Sequence, residues 1–576
     1  MAMNPTTPRG KNMTPLPKSL LNEKHSDRVT YLLIAVTLIL FNLIAIFGSK
    51  VLLHDEPGFY SMVINHQFPS TWTQYNLIGP YTEWLAWNIL AYSPPLARSV
   101  YVLFLLVPLS CCFYYLCRAI FQFPRLTAFA AATLPQILPM QWQIPAGINM
   151  SYVVWGLLFT MLSLILGFLY LEKDTPKNWV PFLAATLCFF IATQIMELAL
   201  FILPPILLAF WGYRKFQRKH VYLILVFTLV GLAKYIQMTM YPRKIMRIMP
   251  FDVIFQRIGL YFTWALPVPA LPPLFATLIY FSIVFIAFLL YFKHPPQQSG
   301  PLFCRFSMKG RHLFVYGFFL SWMITTILPI IILSIPYPPR YAYISMFGAQ
   351  ALFVYAIYLI LKKVFPLKRQ LKIAIFIIII LLAGVSRTIY LKNYYAIENR
   401  IAAIMVRDLN EIQLPWHAQI VIVNLEGFYG GWPRSSGYFQ FLLKRNDLSG
   451  LIGKVNSNEY YNFDNHFDPL FRKWSSRYNM TGLSLDQPLF LFYFDKKNKK
   501  LKPMEYALQW RGEKKDAPWT ILRVDKVDGQ LYAFAWGVGM DEYLSTIRQL
   551  QKKGISQSDI LWGGPPTPEQ QKRLQY

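Results

Sequence analysis

Two adjacent carboxylates, Asp55 and Glu56, follow directly on the first long apolar run, Thr30–Phe47. They sit in the stretch His54-Asp55-Glu56-Pro57-Gly58-Phe59-Tyr60. A carboxylate at a membrane surface, flanked by aromatic rings and partly desolvated, can serve as a general base. The competing reading is local: Pro57 suits the first position of a helix, and the acids would cap it. Basic residues gather farther on, with Arg243, Lys244, Arg247 and Arg257 after a later apolar run and Lys234 just inside that run. Guanidinium groups bind phosphate through paired donors, and fixed positive charge stabilises a departing phosphate or pyrophosphate. Contact with lipid head groups along an amphipathic interfacial helix over 243–255 explains the same residues. Arg340, in Pro336-Tyr337-Pro338-Pro339-Arg340-Tyr341, is either an interfacial anchor or a second phosphate ligand. Glu197, with Gln194 close by, lies between two short apolar runs, where it either caps a helix or lines a cavity.

These residues need elements that hold them at one surface, and the composition says which. Of 576 residues, 55% are hydrophobic and only 15% charged, with mean hydropathy +0.34. A soluble domain carries roughly a quarter charged residues. Repeated apolar runs approach the ~20 residues that cross a bilayer, so the chain reads as a polytopic α-helical membrane protein with about eleven transmembrane helices. The expected crossings are 30–47, 99–116, 126–139, 152–171, 180–195, 198–211, 221–238, 274–292, 313–333, 342–361 and 373 to about 390. The third is short and interrupted by Pro135, and the fifth and sixth are also short. Short segments with polar residues between them are found where a chain lines a cavity at membrane depth.

The net charge of +28 could indicate nucleic acid as a partner, but the bases punctuate apolar runs instead. The first 387 residues hold 31 Lys and Arg, of which 22 fall in the six segments expected on the inner side. That bias orients the N-terminus to the cytoplasm. The same stretch holds nine acids. Glu23, Asp27, Glu172 and Asp174 fall inside; Asp55, Glu56, Glu83, Glu197 and Asp252 fall outside or at the outer rim. None falls at mid-membrane, where an ion-coupled carrier needs ionisable groups.

Residues 1–29 read as a cytoplasmic tail, 30–390 as the membrane domain and 391–576 as an extracytoplasmic α/β domain. The last region holds 19 of the 28 acids and 25 of the 56 bases. It alternates a helical stretch, 396–412, with strands at 418–424, 488–494, 520–527 and 530–536, the last two joined by an Asp528-Gly529 turn. None of the five cysteines lies there, which excludes a disulfide framework for that region, and no metal-ligand spacing occurs. These features are compatible with a bacterial cytoplasmic (inner) membrane. The Gly-rich aromatic stretch 427–434 lacks the spacing of a phosphate-binding loop and reads as a structural loop.

Taken together, the early Asp55-Glu56 pair, Glu197 leading into Leu198-Ala199-Leu200-Phe201-Ile202-Leu203-Pro204, and Arg340-Tyr341 opening a late crossing resemble the GT-C superfamily of membrane glycosyltransferases. The likeness is to the protein O-mannosyltransferase and lipid A aminoarabinose transferase type. It implies an inverting transfer of a sugar from a polyprenyl-phosphate carrier. Asp55 would take the acceptor's proton, and Glu56 would orient the acceptor or bind sugar hydroxyls. Arg340 with Arg243, Lys244, Arg247 and Arg257 would hold the departing phosphate. Glu197, Glu83, Tyr341 and Trp142 would line the substrate cavity. Trp72, Tyr75, Trp84 and Trp142 would stack on sugars or form an interfacial belt. The implied partners are the lipid-linked donor, a glycan, lipid or protein acceptor, and membrane lipids, with no nucleic acid. No cofactor is required; a divalent cation is a possible addition. Two alternatives share the substrate class: a flippase of lipid-linked sugars, and a polysaccharide ligase or polymerase.

Overall fold

In the computed structural model the described residues are 18–49, 52, 56–64, 76–141, 144, 150–172, 179–213, 217–240, 248–268, 271–293, 308–332, 342–363, 369–423, 436–452, 488–495, 497–503, 506–514, 517–527 and 530–536. Every one of the eleven expected crossings is a helix. They are α1 (Lys18–Phe47), α4 (Pro94–Ile120), α5 (Arg125–Ile137), α6 (Ser151–Glu172), α7 (Trp179–Ile195), α8 (Ala199–Gly212), α9 (Arg218–Met240), α11 (Pro273–Lys293), α12 (Met308–Ile332), α13 (Tyr343–Lys363) and α14 (Arg369–Asn410). Two short helices, α2 (Glu56–Ile64) and α3 (Gly79–Tyr92), lie between α1 and α4, and α10 (Phe251–Ala265) lies between α9 and α11. Eight of these helices are long and apolar enough to cross a membrane; α5, α7 and α8 are shorter. The chain is thus a polytopic helical membrane protein with a small α/β region at its C-terminal end.

Burial ranks the helices. In α13, 83% of the apolar stretch is buried inside the protein, against 22% in α9 and α11. The central helix is approached closely: a methyl group on Gly348 would come within 2.9 Å of the Met323 nitrogen and the Phe319 carbonyl of α12. Small residues permit such backbone contact where lipid gives helices no hydrophobic reason to associate. At the periphery, α9 exposes Leu225, Leu229, Leu232 and Ile236, and α11 exposes Leu274, Leu278, Phe281 and Phe285. Such continuous apolar faces are unfavourable in water and are solvated by acyl chains.

Two of the crossings are irregular for local reasons. In α4 the stretches Val102–Leu106 and Leu116–Ile120 widen to π-helix, and the first directly precedes Pro108, which has no N–H to close an α-turn. In α5, Pro135 stands close to the end, and the helix stops at Ile137, after 13 residues or about 20 Å.

Helix α14 has 42 residues, about 63 Å, twice what a hydrocarbon core of about 30 Å requires. The 390/391 boundary drawn from composition therefore falls inside an unbroken helix. Its second half supplies Leu391, Ile401, Met405 and Leu409 to a core shared with Ile420, Ile422, Tyr438, Phe439 and Phe492. The sheet against it contains β1 (Gln419–Val423), β2 (Ser449–Ile452), β3 (Leu489–Asp495) and β4 (Lys500–Pro503), in the order β2-β1-β3-β4. β1 is parallel to both neighbours, with Gln419 opposite Ser449 and Leu489; β3 and β4 are antiparallel. The helix α15 (Ser436–Leu443) belongs to the β1-to-β2 crossover that parallel pairing demands. A separate antiparallel sheet is formed by β5 (Tyr506–Lys514), β6 (Ala517–Val527) and β7 (Gln530–Trp536). Val527 pairs with Gln530 across the anticipated turn. The strands β2, β4 and β5 were not expected from sequence.

Candidate functional site

The segment between α1 and α3 is anchored at both ends. At its start, the last carbonyls of α1 have no partners within the helix and must find donors elsewhere. Helix α14 reaches over to supply them: Asn399 Nδ2 donates to the Gly48 carbonyl at 2.8 Å and Tyr395 Oη to that of Ala45 at 3.5 Å. From the first turns of α4, the buried Arg98 donates Nη1 to the Ser49 carbonyl at 3.4 Å. Six residues beyond Ser49 stands Asp55.

At the far end the chain returns over the junction of α7 and α8. The Ile78 amide donates to the Gln194 carbonyl at 3.2 Å. Gly79, opening α3, approaches so closely that a methyl group there would stand 2.7 Å from the Ile195 carbonyl. That docking brings three polar side chains together. Lys234 Nζ of α9 donates to Asn76 Oδ1 at 3.0 Å, and Asn76 Nδ2 donates to Glu197 Oε1 at 3.4 Å. Lys234 is 1% exposed. A buried ammonium requires oxygen acceptors, and Asn76 supplies one. The amide also fixes its own orientation, because its oxygen faces the cation and its NH2 the carboxylate. Cation, amide and carboxylate thus form a polar line across three elements.

Between these anchors lies α2, whose first residue is Glu56. Its Tyr60 packs edge-on against Phe441 of α15, with ring centroids 5.4 Å apart. Leu52, Leu90 and Ala97 close the same small cluster. The C-terminal α/β region therefore rests directly on the helix that begins with Glu56.

The anticipated residues distribute as follows. Asp55, Trp72, Tyr75, Trp142, Arg243, Lys244, Arg247, Arg340 and Tyr341, and the stretch 427–434, lie outside the described residues, as does the side chain of Glu56. Glu197 is at the α7–α8 junction, in the polar line. Glu83 is fully buried on α3, one turn from the equally buried Trp87. Trp84 is 40% exposed. Arg257 is 1% exposed and acts on a neighbouring helix, its Nη1 donating to the Ile330 and Ile331 carbonyls at 2.9 and 3.4 Å. A cation there completes the C-terminus of α12 and opposes its dipole. The helix that carries Arg257, α10, exposes Phe251 and Phe255, the pattern of an interfacial helix. Among the described residues no group of three or more His, Cys, Asp or Glu side chains could hold a metal ion.

Asn76, Arg98 and Asn399 escaped sequence reasoning. Asn76 carries no charge and no motif. Arg98 marks the end of a loop, and Asn399 sits in a stretch read as a separate helix. Only a count of which donors could reach the end of α1 would have singled out the last two.

No family model matches the chain, and no curated protein matches it. Among solved structures it is similar to ArnT from Cupriavidus metallidurans in the apo state, with 11% identity and a TM-score of 0.44 over 80% of this chain and 93% of that one. The same protein bound to undecaprenyl phosphate gives 11% and 0.45, over 81% and 93%. The archaeal oligosaccharyltransferase AglB from Archaeoglobus fulgidus, in complex with an inhibitory peptide and a dolichol-phosphate, gives 12% and 0.42, over 84% and 74%.

Proposed function

We propose that the chain is an inverting glycosyltransferase that moves a sugar from a polyprenyl-phosphate carrier to an acceptor outside the bacterial cytoplasmic membrane. The observation that carries this reading is the double anchoring of the segment bearing Asp55 and Glu56, with the Lys234–Asn76–Glu197 line at its far end. Undecaprenyl phosphate and dolichol-phosphate, held by the ArnT and AglB structures, are carriers of this chemical class.

In this mechanism Asp55 accepts the proton of an acceptor hydroxyl as its oxygen attacks the anomeric carbon. The bond from that carbon to the phosphate oxygen breaks, and polyprenyl phosphate leaves with the electron pair. Carboxylates close to the anomeric centre favour its developing positive charge. Arg340, with Arg243, Lys244 and Arg247, receives the phosphate charge. Arg257 contributes by holding the end of α12, eight residues before Arg340. Glu197 and Asn76 bind sugar hydroxyls, Glu56 orients the acceptor, and Glu83, Tyr341 and Trp142 border the cavity. The tail 1–29 lies in the cytoplasm, 30–390 performs the chemistry, and 391–576, resting on α2, meets a glycan, lipid or protein acceptor.

The test is direct. Protein in nanodiscs, given polyprenyl-phosphate sugars, releases polyprenyl phosphate, and Asp55→Asn lowers the rate by about 10²- to 10⁴-fold without unfolding the protein. An Asp55→Asn protein as active as the parent sinks the mechanism. Movement of intact lipid-linked sugar across a liposome membrane, with no transfer, marks a flippase instead.

A further inference from the structure

One buried cation plays no part in the mechanism above. Arg387 lies on α14 and is fully buried, and among the described residues no carboxylate forms an ion pair with it. Its Nη1 donates to the main-chain carbonyl of Gln136 and its Nη2 to Oδ1 of Asn42. The Asn42 amide is oriented to accept, because its Nδ2 donates to the Leu38 carbonyl at 2.7 Å and leaves the oxygen facing the guanidinium. Gln136 is held from the other side as well: Tyr343 Oη donates to its Oε1 at 2.8 Å. Asn42, Gln136 and Tyr343 are 1% exposed or less.

Helix α5 explains why a cation sits here. It has only 13 residues and its last turn, from Thr133 to Ile137, is wholly buried, so its final carbonyls end inside the protein, away from water. The negative end of its dipole points at the same place. A guanidinium fits where two acceptors on different helices must be held in one plane, since its donors form a rigid fork.

The helices joined here lead to the reactive segments. Asn42 is on α1, thirteen residues before Asp55. Tyr343 opens α13, three residues after Arg340. Gln136 is near the end of α5, six residues before Trp142. We propose that Arg387 is a positioning residue: by holding α1 and α5 together, with α13 tied to α5 through Tyr343, it fixes the distance between the base and the phosphate-binding side of the cavity. This rests on the proposed function, since it assigns Asp55 and Arg340 those roles.

The decisive variant is Arg387→Lys, which keeps the charge and loses the fork. Misplacement of reacting groups by about 1 Å costs up to about 100-fold in rate. With a polyprenyl-phosphate hexose that the parent protein turns over, kcat should fall by about 10- to 100-fold, while the KM for the donor stays within about twofold and the unfolding temperature is unchanged. Tyr343→Phe should give a smaller loss of the same kind, and the double variant less than the product of the two, because the residues share Gln136. Parental kcat in a folded Arg387→Lys protein overturns the proposal. If that variant does not fold, Asn42→Leu and Tyr343→Phe decide, and parental kcat in both overturns it. A second measurement separates this inference from the proposed reaction. Amide hydrogen exchange without donor should rise in residues 56–64 and in the first turn of α13 of Arg387→Lys, with β3 unchanged. Unchanged protection in both segments overturns the positioning role, whatever the parent protein does to the donor.

Discussion

Charged groups meet at both ends of the helical bundle, and the two meetings differ in kind. At one end, Asp27 Oδ1 accepts directly from Arg125 Nε at 2.9 Å and from Tyr114 Oη at 2.9 Å, joining α1, α4 and α5. Both members of that ion pair are about one-third exposed (33% and 31%). On the other side, the buried Lys234 is linked to Glu197 through Asn76. A direct and hydrated pair neutralises itself and contributes little beyond fixing helix ends. In the second meeting a buried cation is joined to a carboxylate of another element through a neutral amide, whose oxygen and NH2 fix the order of the three groups. The Asp27–Arg125 pair therefore reads as a fastening, and the Lys234–Asn76–Glu197 line is the one that the proposed function sets at the substrate.

The largest effect should come from the Lys234–Asn76–Glu197 line. Lys234→Met, which removes the cation that orients Asn76, is expected to slow polyprenyl phosphate release by up to about 100-fold, the range for misplaced binding groups. Asn76→Leu should act in the same direction. Initial rates in nanodiscs check both; parental rates would reduce that line to the status of the Asp27–Arg125 pair.

Next is Arg257, where the capping role can be separated from phosphate binding. Removing its guanidinium withdraws a charged donor from two carbonyls of α12, which costs about 1.5–3 kcal/mol. Arg257→Met should therefore unfold at lower denaturant with donor KM nearly unchanged. An unaltered midpoint together with a KM increase of about tenfold, about 1.4 kcal/mol of lost binding, would place Arg257 in the phosphate-binding group.

The C-terminal α/β region should show its own acid sensitivity. Arg445, bonded to Asp447 at 2.5 Å, and the His417 amide hold the Asp447 carboxyl below the usual carboxylate range. Lys502 and Asn498 do the same, more strongly, for Asp495. A carboxyl depressed on folding adds stability that is full above the unfolded value of about 4 and is lost as pH falls through the folded value. Unfolding midpoints followed through Trp fluorescence should thus fall below about pH 4, and Asp495→Asn should flatten that slope. A slope identical to the parent's would remove Asp495 from the account.

The smallest effect belongs to the Asp27–Arg125 pair. Asp27→Asn should cost less than about 1 kcal/mol, given how exposed the partners are, and should leave the transfer rate unchanged. A rate loss comparable with that of Lys234→Met would erase the contrast between the two ends.

Much of the architecture was legible before any coordinates. The run 30–47 reappears within α1, 221–238 within α9 and 342–361 largely within α13, because a bilayer imposes a minimum apolar length and the backbone must satisfy itself as helix. Central features of the C-terminal α/β region were less visible. β2 is Ser449-Gly450-Leu451-Ile452, too short and too weakly patterned to announce a strand, and it exists by pairing with β1. The continuity of α14 was hidden because composition changes near residue 390 while the helix does not. Of the candidate site, the sequence pointed to Glu197 and to an outward cluster of bases. It could not tell that Arg257 caps a neighbouring helix.

What the sequence determined by itself is the set of apolar helices, a property of local composition. What only the tertiary structure decided is which polar groups share a hydrogen bond. Lys234 and Asn76 are 158 positions apart, and Arg387 and Gln136 are 251 apart. The second arises because α5 is short and a carbonyl of its last turn takes the donor that packing brings near; the first joins two side chains that only the docking of the 76–79 stretch on the α7–α8 junction brings together. Packing of side chains in three dimensions, and not any spacing along the chain, selects that donor.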